Sequence, residues 1–182
     1  AIGDETTAIK SRLLNDVRER AKANGQKYPT LEDYRQACVT FGEEEGKQLA
    51  SEGKWSAKSY SNLNGQDLSG FKLSDPKVGM AKNERDTTNL LDQDSDGTIN
   101  DFYTNVSLFE ANLNNSYIDP ATSFNEEVAK ARQLNNMTFN GMVEGETFTF
   151  GAGEYSNARV TGVNGGQIVF GKGAIVDGVE FE

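Results

Sequence analysis

The sequence predicts a mainly β fold with an α-helical N-terminal part, in which a helical hairpin over residues 1–58 caps a repeat structure over residues 59–182. Three observations predict it. Apolar residues recur at helical spacing in the first part, they recur every five residues in the second, and the charge divides at the same place. Residues 1–58 hold ten Lys/Arg against ten Asp/Glu, whereas residues 59–182 hold eight against eighteen and so carry the whole net charge of −10.

In the helical part, Ile9, Leu13, Leu14, Val17 and Ala21 form one apolar stripe, with Asp16, Arg18, Glu19 and Arg20 on the other face. Asn24-Gly25 then offers a left-handed C-cap. After Pro29, Thr30 is placed to cap a second helix with Asp33 three residues later, and Leu31, Tyr34, Ala37, Cys38, Phe41 and Leu49 supply its apolar face. A short connection between two such helices favours an antiparallel hairpin. Cys38 is expected in its core; a reactive thiol is the weaker reading, because the chain has no histidine to activate it. Trp55, with Tyr60 nearby, is expected to seal the junction to the repeats.

From Ser59 the period changes. Ser61-Asn62-Leu63-Asn64-Gly65, Gln66-Asp67-Leu68-Ser69-Gly70 and Phe71-Lys72-Leu73-Ser74-Asp75 place Leu63, Leu68 and Leu73 at the centres of consecutive fives. A second set, 106–120, centres Leu108, Leu113 and Ile118, and both sets run into Asp-Pro. Period five suits neither helix nor strand, so a repeat architecture is expected. Residues 76–105 and 120–135 break the register and are expected as insertions, the second containing a short helix. Beyond residue 137, Thr147–Phe150, Gln167–Phe170 and Val179–Glu182 alternate between glycine-rich turns, as closing coils or a small sheet across the end would.

These blocks resemble the pentapeptide-repeat family, whose motif is a small residue, Asp or Asn, Leu or Phe, a polar residue and often Gly. Ser61–Gly65 and Ala111-Asn112-Leu113-Asn114-Asn115 fit closely, while Met137–Gly141, Ala158–Gly162 and Ala174–Gly178 fit loosely. The resemblance implies a right-handed quadrilateral β-helix, here interrupted and degenerate, whose central Leu or Phe residues point inward. It covers roughly a quarter of the chain. Terminal coils of such a solenoid require caps, and the helical hairpin suits one end.

One motif lies outside the repeats. Asp92-Gln93-Asp94-Ser95-Asp96-Gly97-Thr98-Ile99-Asn100 matches the first nine positions of an EF-hand calcium loop: carboxylates at 1, 3 and 5, Gly at 6, a backbone carbonyl at 7 and a polar residue at 9. Asp92, Asp94, Asp96, Thr98 and Asn100 are thus the candidate calcium ligands. Position 12 is Tyr103 instead of the bidentate Glu, so weak, structural binding is expected, and a solvated acidic turn stays open as the alternative.

The absence of histidine removes Ser-His-Asp and Cys-His catalysis and every His-containing zinc site. A net charge of −10 disfavours binding to phosphate backbones and anionic membranes. No apolar run reaches the roughly 18 residues of a membrane span, and the single cysteine excludes an internal disulfide. Paired acids such as Glu43-Glu44-Glu45 and Glu126-Glu127 read as solvated helix faces. The function expected is therefore non-enzymatic: a protein-interaction module with a protein partner, no direct nucleic-acid contact and no membrane span. By resemblance to partial pentapeptide domains joined to helices, it would be a bacterial effector secreted into host cells. Two alternatives remain, an acidic DNA mimic that inhibits a nucleic-acid enzyme and a non-catalytic fragment of a larger enzyme. The start at Ala1 instead of Met raises the expectation of an upstream leader or longer parent.

Overall fold

A computed structural model describes residues 6–74, 102–103, 105–119, 125–140, 147–161 and 166–181. It is a mixed fold of helices and parallel strands. The helices come first: α1 (Thr7–Ala23), α2 (Leu31–Glu43), α3 (Lys47–Ser51) and α4 (Ala57–Tyr60), with α5 (Asn125–Val128) between strands.

The helix signals act as their chemistry dictates. Gly25 takes φ +70°, and the Gln26 amide returns to the Ala21 carbonyl at 2.9 Å, closing α1. At α2, the Asp33 amide donates to Thr30 Oγ1 at 3.1 Å and the Thr30 amide to Asp33 Oδ2 at 3.3 Å, a reciprocal capping box. Leu13, Leu14, Val17 and Ala21 of α1 are buried with Leu31, Tyr34, Ala37, Cys38 and Phe41 of α2, each large apolar side chain contributing about 1.5–3 kcal/mol. Trp55 has no exposed surface, lying between the rings of Phe41 and Tyr60 and donating from Nε1 to the Cys38 carbonyl at 2.8 Å.

Among the described residues nine short strands follow: β1 (Lys72–Leu73), β2 (Tyr117–Ile118), β3 (Thr138–Asn140), β4 (Thr147–Phe150), β5 (Gly153–Ser156), β6 (Arg159–Thr161), β7 (Gln167–Phe170), β8 (Ala174–Asp177) and β9 (Glu180–Phe181). All their pairings are parallel, in the orders β1-β2-β3-β6-β9, β4-β7 and β5-β8. Tyr117 pairs with Thr138, Thr138 with Arg159 and Arg159 with Glu180, a step of 21 residues. The first step, Lys72 to Tyr117, is 45, so the first interruption adds 24 residues between rows without disturbing the register.

This register stacks like upon like. Leu73, Ile118, Phe139 and Val160 form one buried column, which ends at Phe181. Leu68, Leu113, Leu134 and Tyr155 form a second, ending at Val176, beside the bridged positions Asp67, Asn112, Gln133, Glu154 and Ile175. Turn residues stack too. Gly70, Asn115, Asn136, Asn157 and Gly178 all have φ between +58° and +78°, and Gly and Asn are the residues that enter this region at least cost. Asparagine amides tie the rows: Asn114 Oδ1 accepts from the Asn135 amide and Asn135 Oδ1 from the Ser156 amide, each at 2.8 Å.

The two ends of the stack differ. At the first row, Thr30 bridges Lys72, the Lys72 amide donates to the Pro29 carbonyl at 2.8 Å, and α1 is clamped by Arg18, which reaches the Ser69 carbonyl at 3.1 Å and covers the Phe71 ring. Lys10, buried, donates to the Asn62 carbonyl at 2.9 Å. At the last row, among the described residues, no strand pairs with the outer edge of β7, β8 or β9.

Two sequence expectations change in detail. Gln133 and Leu134, placed in the second insertion by the sequence, stand in the ladder, so the chain rejoins its rows soon after α5. Phe102 and Tyr103, placed in the first insertion, are buried, Phe102 against Tyr34 and Tyr60 and Tyr103 edge-on against Phe102. Alternation in β4 and β7 proves to be pairing within the rows, with Phe148, Phe150 and Phe170 packed around Phe139 and Tyr155.

Candidate interaction surface

The candidate calcium ligands Asp92, Asp94, Asp96, Thr98 and Asn100 lie outside the described residues. Tyr103, at the twelfth position of that motif, is a core residue: its hydroxyl donates to Glu32 Oε1 at 2.5 Å. Glu32 also receives Arg35, fully buried, through Nε at 2.9 Å and Nη2 at 2.6 Å. Burial alone would raise the Glu32 carboxyl, but the hydrogen bonds and charge of Arg35, with the hydroxyl of Tyr103, outweigh it and hold the group below its ordinary value. Among the described residues no group of three or more Cys, Asp or Glu is placed to hold a metal ion. No helix among them is long and apolar enough to cross a membrane.

Other shifted groups serve the fold as well. Burial lowers the Arg18 guanidinium against the opposing pull of Asp67; Asp67, despite its own burial, is held low by Ser69 and Arg18. Burial pushes the Tyr155 phenol up to about 12, and its hydroxyl donates to the Gly151 carbonyl at 2.8 Å. None of these side chains lines either groove described next. Cys38 is buried. Among the predicted acidic faces, Glu45 pairs with Arg12 at 3.0 Å and Glu127 with Lys130 at 2.6 Å.

The concavities among the described residues include two grooves. A groove of about 440 Å³ separates α1 from α2, floored by Leu13, Ala37 and Phe41 and rimmed by charges that partly neutralise one another, Arg12 lying 3.0 Å from Glu45 and 4.0 Å from Asp16. Its floor residues are already buried. The second groove, about 370 Å³, crosses the β rows. The small residues Ala131, Ala152, Gly153 and Gly173 line it together with Phe109 and Ile175, which are 54% and 63% exposed. Glycine at 153 lets two rows approach closely here, since a Cβ would lie 3.0 Å from the Arg132 carbonyl oxygen. Lys130, Arg132, Glu110 and Glu154 line it further, and the last three form no ion pair among the described residues.

Large exposed apolar side chains in a groove mark a contact surface more than buried ones do. The sequence carries a signal for both: in Leu108-Phe109 and Ile175-Val176 an apolar residue stands directly beside the inward one, at a position where the repeat motif has a polar residue. No protein-family model matches the chain, and neither curated proteins nor solved structures give a match.

Proposed function

We propose that this chain is a non-enzymatic protein-interaction module: an interrupted right-handed β-helix of the pentapeptide-repeat kind, closed at its first coil by the helical hairpin, that offers the groove between Phe109 and Ile175 to a protein partner. The 21-residue step, close to four fives, and the stacked inward columns support the β-helix reading. The observation that carries the interaction reading is the exposure of Phe109 and Ile175 beside small residues and beside Arg132, Glu110 and Glu154, which form no ion pair among the described residues. Secretion into a host cell rests on analogy alone.

The test is affinity capture with the intact chain against Phe109→Glu combined with Arg132→Glu, both checked for the same circular dichroism spectrum. Proteins retained by the wild type and lost from the variant support the reading; identical capture by both, or none by the wild type, overturns it. The calcium loop is a separate proposal: millimolar calcium should raise the melting temperature of the wild type and leave Asp94→Ala unmoved, and equal melting with calcium and EDTA would remove it.

A further inference from the structure

We propose that the outer face of β1 and β2, where Lys72 and Tyr117 stand beside Lys27 and Tyr28 of the connection between α1 and α2, is a docking surface for an extended acidic segment of a protein partner. None of these four residues lines the groove between Phe109 and Ile175, so the surface would stand if that groove bound nothing.

The face follows from the register. Leu73 and Ile118 are buried inward, so their neighbours Lys72 and Tyr117, paired across adjacent rows, point outward. Thr30 bridges Lys72 on the other side, which brings the connection between the helices along the same face. There Tyr28 meets Tyr117 with ring centroids 5.7 Å apart. Lys27 Nζ lies 5.5 Å from the Tyr28 centroid and Lys72 Nζ 5.7 Å from that of Tyr117, so cation, ring, ring and cation form one continuous series.

Rings hold these lysines where carboxylates ordinarily would. The chain has 28 acidic residues against 18 basic ones, yet neither lysine makes an ion pair among the described residues. A carboxylate neutralises an ammonium group, whereas a ring attracts and restrains it while leaving its charge and N–H donors for another acceptor. Tyr117 adds a third donor. Its hydroxyl oxygen accepts from Asn140 Nδ2, and Asn140 Oδ1 accepts from Thr161 Oγ1, so successive bonds polarise the phenolic O–H. No described residue accepts that proton. Two unneutralised cations and an oriented O–H are the partners that carboxylates select.

Charge and size decide the occupant. Further along the same column Arg159 stands in register with Glu180, and Asp119 lies two residues beyond Tyr117 on the same face, so the positive charge is confined to Lys72 and Lys27. Single-stranded nucleic acid would run past this patch onto those acids, in a region that carries the chain's whole −10, and each ring already has a lysine over it. An acidic peptide segment needs only two or three carboxylates. Extended, it brings every second side chain to one face about 6.8 Å apart, and adjacent rows lie about 4.8 Å apart, so acids at alternate positions reach Lys72 and Tyr117 together.

The probe is an acetylated, amidated Thr-Glu-Thr-Glu-Thr-Glu-Thr peptide titrated into the intact chain by calorimetry at low salt, beside its Gln counterpart and a single-stranded oligothymidylate. The Glu peptide should bind at least about tenfold more tightly than either of the others. Lys72→Gln should weaken binding about tenfold, the worth of one charge-assisted hydrogen bond, and Tyr117→Phe, which keeps the ring and loses only the O–H, about fivefold. Lys172→Gln removes the same charge outside this sheet and should leave binding unchanged, which separates a local contact from net charge. Phe109→Ser should leave it unchanged too, which separates this surface from the groove. Absent binding of the Glu peptide, equal binding of the Glu and Gln peptides, wild-type affinity in both Lys72→Gln and Tyr117→Phe, or an equal loss in Lys172→Gln overturns the proposal. So does tighter binding of the oligothymidylate, because the occupant is then a nucleic acid.

Discussion

Replacing Leu134 by Ala should cost about 3–4 kcal/mol, whereas Val176→Ala, in the same column, should cost under about 1 kcal/mol. Leu134 is 0% exposed between Leu113 and Tyr155, so the change deletes three buried carbons, about 2.4 kcal/mol at roughly 0.8 each, and the rows above and below cannot close the space left behind. Val176 is 45% exposed, so its two carbons count at about half value and leave no enclosed cavity. Urea unfolding followed by Trp55 fluorescence and circular dichroism reads both losses, provided the denaturant slope stays constant. Equal losses at the two positions, or a loss below about 1 kcal/mol at Leu134, would refute the stacked column and the 21-residue register with it.

Asn136, at φ +59°, should lose about 1–2 kcal/mol on replacement by Ala and keep its stability on replacement by Gly, as thermal melts would show; a harmless Ala would mean that the turn is not left-handed. Glu32→Ala should cost about 3 kcal/mol, since the buried Arg35 guanidinium loses a bidentate partner. Because the folded Glu32 carboxyl titrates below its unfolded value of about 4.3, the stability it supplies is present above that pH and is lost as the pH falls through the depressed value; Glu32→Gln should flatten this part of the acid limb in unfolding curves. Tyr155 behaves in the opposite sense. Its phenol titrates at about 12 when folded and near 10 when unfolded, so stability should fall between those values, and Tyr155→Phe should remove that share of the alkaline loss.

The inward residues were legible because the five-residue spacing is a local property: Leu63, Leu68, Leu73, Leu108, Leu113 and Ile118 are all buried where the blocks put them. The capping box at Thr30 and the turn at Gly25 were legible for the same reason, each depending on neighbours within a few residues. What escaped depends on contacts between distant rows. Met137–Gly141 and Ala158–Gly162 look like isolated fragments until the step of 21 aligns them, one residue more than four fives. Phe102 and Tyr103 carry no repeat signal at all, and they are buried because the chain re-enters the stack against Tyr60 and Glu32. The groove was hidden likewise, since Phe109 and Ile175 lie 66 positions apart along the chain and meet only across the rows.

The constant step has an evolutionary consequence, which is that the length of this chain is quantised. A deletion of a few residues between Asn115 and Asn157 would put an apolar side chain where a left-handed turn belongs and a turn residue in the core, so every row downstream would lose its partners together. Removing or duplicating 21 residues would instead leave each rung facing an equivalent rung. Extra residues that do not come in that unit survive only where the register is kept on both sides of them, as it is across the 24 extra between Leu73 and Tyr117. Gain and loss of whole rows, with insertions that keep the register, is therefore the route by which such a chain can change its surface while keeping its core.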